Sequence, residues 1–188
     1  AEGSVLFVFP ELFTLELFTV ESGWRDDPVE ALPRIAGFTA DYRAFFADEA
    51  RRRNQFIAAG THLVRGDAGL HNVAHLFGPD GERFEHAKTH MFPAEAAWGT
   101  QEGEAMAAID LPFATVGFTI CYEAEIPECA ASLAEQGAEI ILCPSHTFGE
   151  PGFWRVRHCA QARAVENQVY VVHAATGGEP GGPIPPGW

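Results

Sequence analysis

Residues 116–128, VGFTICYEAEIPE, decide how the rest of the chain is interpreted. The stretch begins as an apolar, β-branched run, which predicts a buried strand, and ends in acidic residues and a proline, which are typical of the first turn of a helix. Cys121 therefore lies at a strand-to-helix turn, where helix N–H groups favour negative charge on sulfur or on a bound oxygen. A free cysteine is otherwise commonly a small buried hydrophobe, so this stretch alone leaves both roles open.

The composition is that of a globular protein and restricts its partners. The chain has 188 residues, 47% hydrophobic and 20% charged, which is enough for one domain with a sizeable core. Its formal net charge of -14 argues against nucleic acid or an anionic membrane surface as a partner, since both require clustered Lys and Arg. No apolar run approaches the roughly 20 residues that span a bilayer. We therefore expect a small-molecule substrate.

The cysteine pattern indicates a compartment. The four cysteines, Cys121, Cys129, Cys143 and Cys159, show no CxxC spacing and fall in predicted strands or helices. Such a pattern is typical of free thiols in a reducing environment. Because no basic segment followed by an apolar one opens the sequence, we predict a cytoplasmic protein.

Both ends of the sequence suggest the middle part of a longer domain. Residues 1–4 resemble the end of a helix, and residues 5–9, VLFVF, follow directly as a strand that we predict to be buried on both faces. Residues 177–188 form a Gly/Pro-rich loop. We expect a single domain over residues 1–188 that lacks its first strand and helix and its C-terminal strands.

Apolar periodicity predicts that helices and strands alternate between these ends, as in an α/β layered sandwich. We predict a loop over residues 14–33 and a helix over residues 33–53. The other predicted elements are a strand at 55–62, hairpins at 71–88 and 105–116, helices at 128–136 and 154–168, and strands at 138–145 and 169–173.

Polar side chains follow several of these strands. Residues 3–11 and 137–145 share one pattern of glycine, apolar run, proline and polar residue, which predicts two parallel strands that bring Glu11 and Ser145 to the same edge. Lys88 follows the hairpin and, beside a thiol, would stabilise an oxyanion. A glutamate or lysine after a strand is otherwise commonly solvated, so position alone leaves both roles open.

Four short motifs together resemble the signatures of the carbon-nitrogen hydrolase (nitrilase) superfamily. In chain order they are FPE at 9–11, KTH at 88–90, GFTICYE at 117–123 and RAVENQ at 163–168. Each motif is weak alone, but their order and spacing make the likeness specific over nearly the whole chain. The resemblance implies a four-layer αββα sandwich, here a partial domain, that forms homo-oligomers. It also implies hydrolysis of non-peptide C–N bonds by a Glu-Lys-Cys set, with no metal or organic cofactor.

The resemblance also implies a role for each matching residue. Cys121 becomes the nucleophile, Glu11 the general base and Lys88 the cation that stabilises the tetrahedral intermediate. The backbone N–H of Tyr122 becomes a second oxyanion donor, and Glu95 the second glutamate that the family often adds.

Other positions bear on specificity or depart from the family pattern. The loop of Ser145, His146 and Thr147 corresponds to one that usually lines the substrate pocket. Glu123 stands where the family more often has aspartate, a change that we expect to be tolerated. Glu102 is a less favoured alternative to Glu95 as the second glutamate.

The substrate stays open at this level. Residues 88–95 and 154–163 resemble a poorly characterised bacterial branch described only as predicted amidohydrolases. We expect hydrolysis of a small amide through a cysteine thioester, with nitrile or carbamoyl hydrolysis, or a catalytically silent assembly member, as alternatives. Arg155 and Arg157 could hold a substrate carboxylate, although pairing on the helix surface is favoured.

Histidine spacing suggests a different class of enzyme. His71 and His75, like His86 and His90, are four residues apart, which on a helix would place two ligands on one metal. Both pairs fall in predicted strands or loops, and neither lies in an HExxH sequence. We therefore expect no metal site.

Overall fold

The computed structural model describes residues 3–67 and 69–178. The first sheet contains β1 (Leu6–Val8), β2 (Phe56–Arg65), β3 (Leu70–Phe77) and β4 (Arg83–Ala87). The second contains β5 (Ile109–Leu111), β6 (Ala114–Phe118), β7 (Ile140–Ser145) and β8 (Tyr170–Ala175). The α-helices are α1 (Pro28–Ile35), α2 (Thr39–Arg53), α3 (Pro93–Ala97), α4 (Pro127–Glu135) and α5 (Gly149–Asn167). Three 3-10 helices cover Phe13–Val20, Ala36–Phe38 and Cys121–Glu125.

Each sheet has its strands in chain order, β1-β2-β3-β4 and β5-β6-β7-β8. The β2-β3-β4 pairs and the β5-β6 pair are antiparallel, whereas β1 pairs with β2, and β7 with both β6 and β8, in parallel. Both predicted hairpins are therefore present.

The layers follow from the two faces of each strand. In β2, Ile57 and Ala59 pack against α2, whereas Phe56 and Ala58 face the second sheet. On the far side, Leu133 of α4 packs against the outer face of the second sheet. The order is helix, sheet, sheet, helix, which confirms the predicted four-layer αββα sandwich.

The prediction for residues 14–53 was wrong in its helix boundaries. The predicted loop contains the 3-10 helix Phe13–Val20 and all but the last two residues of α1, and the predicted long helix begins only at Thr39. The signal was Asp27, whose side chain accepts from the N–H of Glu30 at 3.1 Å and caps α1 ahead of Pro28 in the first turn. Treating Pro33 as a helix start therefore missed the true N-terminus.

The first strand is less buried than predicted. Because β1 lies at the edge of its sheet, its residues are half-buried and the flanking Val5 and Phe9 are exposed. The predicted helix end at residues 1–2 and the loop from residue 179 onward lie outside the described residues. None of the helices within residues 3–67 and 69–178 combines the length and apolar character needed to cross a bilayer.

Candidate active site

Cys121 occupies a strained turn between the second sheet and its helices. Strand β6 ends at Phe118, and Cys121 opens the next 3-10 helix with a φ of 48°, in the left-handed region that a side chain disfavours. Such a conformation costs of order 1–3 kcal/mol and persists only where the surroundings enforce it. The predicted elbow is therefore present, and it leaves Cys121 almost buried at the base of a cleft.

Glu11, Lys88 and Glu95 form one buried charge cluster. Nζ of Lys88 lies 2.8 Å from Oε1 of Glu11 and also contacts Oε2 of Glu95. The ammonium group is 1% exposed and the carboxylates hardly more, so little water competes with these contacts. Three residues predicted from separate parts of the sequence thus meet at one point.

Asn72 completes this cluster and was missed by the sequence analysis. Its side-chain nitrogen donates to Oε1 of Glu11 at 2.9 Å and to Oε1 of Glu95 at 2.8 Å. Oε2 of Glu11 accepts in addition from the backbone N–H of His146 at 2.7 Å. Because Asn72 lies within the β3 strand, no motif pointed to it, and only the alternation of β3 side chains could have suggested an inward-facing amide.

The same burial changes the proton affinities of these groups. Burial acts to lower the pKa of Lys88, but the carboxylates of Glu11 and Glu95 outweigh it, so the pKa is raised and the side chain stays charged. Burial raises the pKa of Glu95. Burial, together with the charge of Glu11, also raises the pKa of Cys121, so its sulfur is a thiol at neutral pH. A base must therefore take its proton during any reaction.

Two groups lie close to the Cys121 sulfur. The hydroxyl of Ser145 donates to Sγ at 3.6 Å, and Sγ in turn lies 3.6 Å from the backbone carbonyl of His146. Ser145 is fully buried at the end of β7, which places it against the sulfur rather than on the cleft wall.

The backbone of the elbow also presents N–H groups. The first hydrogen bond of the 3-10 turn runs from the N–H of Glu123 to the carbonyl of Ile120 at 3.0 Å. The N–H of Tyr122 precedes this donor, as at any helix start, whereas the backbone of Cys121 hydrogen-bonds the sulfur of Cys143. The side chain of Tyr122 packs edge-on against Phe92.

The cleft above Cys121 has a polar floor and apolar walls. His146 and Thr147, from the loop after β7, line this cleft. Nδ1 of His146 is buried and has no hydrogen-bond partner within residues 3–67 and 69–178, and burial lowers the pKa of its ring. The further lining residues include Leu12, Phe92, Trp98, Phe148, Gly152 and Arg155.

Arg155, at this cleft, is already paired. Its Nε lies 2.9 Å from both carboxylate oxygens of Glu125, which joins α5 to the elbow. The guanidinium of Arg157 instead lies over the ring of Trp154 at 6.0 Å.

The paired histidines of the sequence do not gather around a metal position. His86 contacts Glu123, and His75 contacts Glu85. Across residues 3–67 and 69–178, no group of three or more His, Cys, Asp or Glu side chains is arranged to hold a metal ion. All four cysteines are free thiols.

The fold and sequence together define a member of the nitrilase superfamily. A mutant of the amidase from Nesterenkonia sp. AN1, solved after Michael addition of acrylamide at its active-site cysteine, superposes with a TM-score of 0.70 at 23% identity. The match covers 92% of this chain and 65% of the amidase. The carbon-nitrogen hydrolase family model matches residues 1–182. The chain belongs to the carbon-nitrogen hydrolase family.

Two curated relatives match the chain at higher sequence identity. It is 39% identical to the probable hydrolase YhcX of Bacillus subtilis over 172 residues, which cover 91% of this chain and 33% of that protein. It is 31% identical to the mouse omega-amidase NIT2 over 140 residues, which cover 68% of this chain and 50% of NIT2. The chain therefore spans a third to a half of the length of these relatives.

Proposed function

We propose that this protein hydrolyses small, uncharged carboxamides through a thioester on Cys121. The observation that supports this most strongly is the convergence of Lys88 with Glu11, at 2.8 Å, beside a cleft that Glu11 and Cys121 both line. A nucleophile, a base and a fixed cation within one small site are the groups that acyl transfer from an amide requires.

The first half of the reaction forms the thioester. Glu11 takes the thiol proton of Cys121 as sulfur attacks the amide carbonyl carbon. The resulting oxyanion is stabilised by the ammonium of Lys88 and the backbone N–H of Tyr122, and one such preorganised donor is worth about 3–4 kcal/mol of barrier. The C–N bond then breaks, the nitrogen takes the proton held by Glu11, and ammonia leaves.

The second half releases the acid. Glu11, again ionised, takes a proton from water as the water oxygen attacks the thioester carbon. The C–S bond breaks, Cys121 recovers its proton, and the carboxylic acid departs. Nζ of Lys88 donates to Oε1 of Glu11 at 2.8 Å, so the cation stays beside the proposed base in both halves of the reaction.

The charges around the cleft favour an uncharged substrate over one with a carboxylate. Nε of Arg155 is paired with Glu125, and Lys88, which Glu11 and Glu95 share, is assigned to the oxyanion, so we assign neither cation to a substrate carboxylate. The lining aromatic rings suit a short alkyl chain. A substrate with a carboxylate at the far end of its chain would need an uncompensated cation here.

Ammonia release tests the proposal directly. We expect hydrolysis of butyramide, slower hydrolysis of succinamate, which carries a carboxylate at the same chain length, and little hydrolysis of butyronitrile. Cys121→Ala should abolish ammonia release, and Cys129→Ala, at a buried thiol outside the cleft lining, should not. A butyryl adduct on Cys121, detected by peptide mass spectrometry after rapid quenching, would support the thioester. Equal turnover by Cys121→Ala would contradict the proposal.

The compartment and the oligomeric state do not depend on the geometry of the site. Four free thiols suit a reducing compartment, so we propose a cytoplasmic enzyme. Association into homodimers or larger homo-oligomers stays a prediction from the family resemblance.

A further inference from the structure

The Glu123 carboxylate lies under the proposed catalytic residues and bonds to two separate parts of the chain. It is fully buried and accepts hydrogen bonds through both oxygens. Oε1 accepts from the backbone N–H and the hydroxyl of Thr89 at 2.6 and 2.7 Å. Oε2 accepts from the backbone N–H of Ile120 at 2.6 Å.

These partners are the chain neighbours of the proposed catalytic residues. Thr89 follows Lys88 directly, just after β4 in the first sheet, and Ile120 precedes Cys121, just after β6 in the second. One carboxylate therefore bonds the segment of the cation through one oxygen and the segment of the nucleophile through the other. The two sheets otherwise meet between β4 and β6 through apolar packing, which resists sliding less than directional hydrogen bonds do.

His86 supplies the partner that a buried carboxylate needs. Its Nε2 lies 2.9 Å from Oε2 and 3.1 Å from Oε1 of Glu123. Because an ionised carboxylate only accepts, Nε2 must bear the hydrogen. The imidazole ring stacks on Phe118, with ring centroids 6.4 Å apart, which fixes its direction toward Glu123.

We propose that Glu123, supported by His86, is a positioning residue that holds Lys88 and Cys121 in register across the two sheets and thereby sets the reactivity of the Cys121 thiol. This inference rests on the proposed function only in taking Cys121 as the nucleophile. Glutamine at this position has a single acceptor oxygen, and its NH₂ group would meet an N–H donor on the other side. Glu123→Gln can therefore accept from the backbone N–H of only one of the two segments, whereas Glu123→Asp keeps two acceptor oxygens.

The test is a ratio of two alkylation rates near neutral pH, with acrylamide as the reagent. The rate at Cys121 is divided by the rate at the partly exposed Cys159 in the same sample, and both are measured by peptide mass spectrometry. This ratio needs no amide turnover. We expect Glu123→Gln to lower the ratio about tenfold, as the loss of one charge-assisted hydrogen bond predicts. Glu123→Asp should restore most of it.

A matched control lies on the same hairpin. His75 and Glu85 form a second His–Glu pair, at 3.3 Å, that contacts neither segment. Glu85→Gln should therefore leave the ratio within about twofold of the wild type. Thr89→Val keeps the backbone bond to Oε1 but removes the hydroxyl bonds to Oε1 and to Nδ1 of His90, and it should lower the ratio about threefold.

The possible results separate the two proposals. A ratio unchanged in Thr89→Val and in folded Glu123→Gln, or lowered equally by Glu85→Gln, would overturn the positioning role. If Glu123→Gln unfolds, shown by alkylation of the fully buried Cys143, Thr89→Val alone decides. A wild-type Cys121 no faster than Cys159 would overturn both this inference and the proposed function.

Discussion

The side-chain nitrogen of Asn72 lies 2.9 Å from Oε1 of Glu11, so an amide within β3 orients the carboxylate that we propose as the general base. The same nitrogen lies 2.8 Å from Oε1 of Glu95. Asn72 thus bridges the two carboxylates. Nζ of Lys88 contacts Oε1 of Glu11 and Oε2 of Glu95, and the backbone N–H of His146 donates to Oε2 of Glu11. The two donor hydrogens of Asn72 are both used, which leaves the direction of the amide unambiguous.

Removing this amide should reduce both activity and stability. We expect Asn72→Ala to lower kcat by at least about tenfold with little change in KM, because Glu11 loses its orientation. Two hydrogen bonds to charged groups are lost, each worth about 1.5–3 kcal/mol, so the free energy of unfolding should fall by about 3–6 kcal/mol. Steady-state kinetics and urea denaturation measure the two effects. An unchanged kcat would show that Glu11 does not depend on Asn72.

Removing the cation should have a larger effect. Lys88→Ala leaves the buried Glu11 and Glu95 without their cation, so we expect the free energy of unfolding to fall by about 3–5 kcal/mol. The loss of an oxyanion donor should lower kcat by at least about a hundredfold. Arg43→Ala, which removes a part-exposed cation from Glu85, is the control and should cost less than about 1 kcal/mol. Equal losses in the two variants would contradict the assignment.

Glu11 should control the reactivity of the Cys121 thiol. Burial raises the pKa of Cys129 and of Cys143 to about 12, and neither thiol lines the cleft, so neither should react near neutral pH. Burial also raises the pKa of Cys121, but this thiol lines the cleft together with Glu11. We expect acrylamide to modify Cys121 in the wild type and Glu11→Gln to abolish most of that reaction. Glu95→Gln is the matched control, since it removes a carboxylate that also contacts Lys88. Peptide mapping after alkylation measures this rate. Alkylation of Cys121 as fast in Glu11→Gln as in the wild type would contradict the assignment of Glu11 as the base.

The stability that Glu123 contributes should depend on pH. Burial alone would raise the pKa of Glu123, but the hydrogen bonds from His86 and Thr89 outweigh it and lower the pKa below its ordinary value. A carboxyl group with a depressed folded-state pKa stabilises the fold above its unfolded pKa, near 4.3, and this stabilisation is lost as the pH falls through the folded value. The difference in unfolding free energy between wild type and Glu123→Gln should therefore shrink between neutral and acidic pH. Urea denaturation at both ends of this range measures it, and a constant difference would contradict the pairing.

Gly60 should matter for the placement of Glu11. It has a φ of 62° beside a register shift in β2, and a Cβ at this position would lie 2.0 Å from the carbonyl oxygen of Pro10. Gly60→Ala should therefore displace residues 10–11, lower the free energy of unfolding by more than about 1 kcal/mol and reduce kcat. Gly137→Ala, at a φ of 92° with open space around the Cβ, adds backbone strain without the clash and should leave kcat unchanged. A similar kcat for both variants would contradict this reasoning.

The sequence analysis succeeded where the pattern was local. Apolar runs followed by a proline or a turn predicted every strand of the two sheets, although with boundaries shifted by a few residues. The order and spacing of the four motifs, through the family resemblance, led us to propose Glu11, Lys88 and Cys121 as catalytic residues, because their positions at strand ends alone left their roles open. It failed at α1, where the cap at Asp27 was a local signal that was not used.

By itself the sequence therefore determined the family, the layered α/β architecture and the three residues proposed for catalysis, since all of these depend on short, ordered motifs. Only the tertiary structure decided that Asn72 joins Glu11 to Glu95, that Ser145 contacts the sulfur and that Glu123 joins the segments of Lys88 and Cys121. These contacts link residues up to 61 positions apart in the chain. A hydrogen bond over that separation leaves no periodicity or spacing in the sequence, because it depends on how two folded sheets meet.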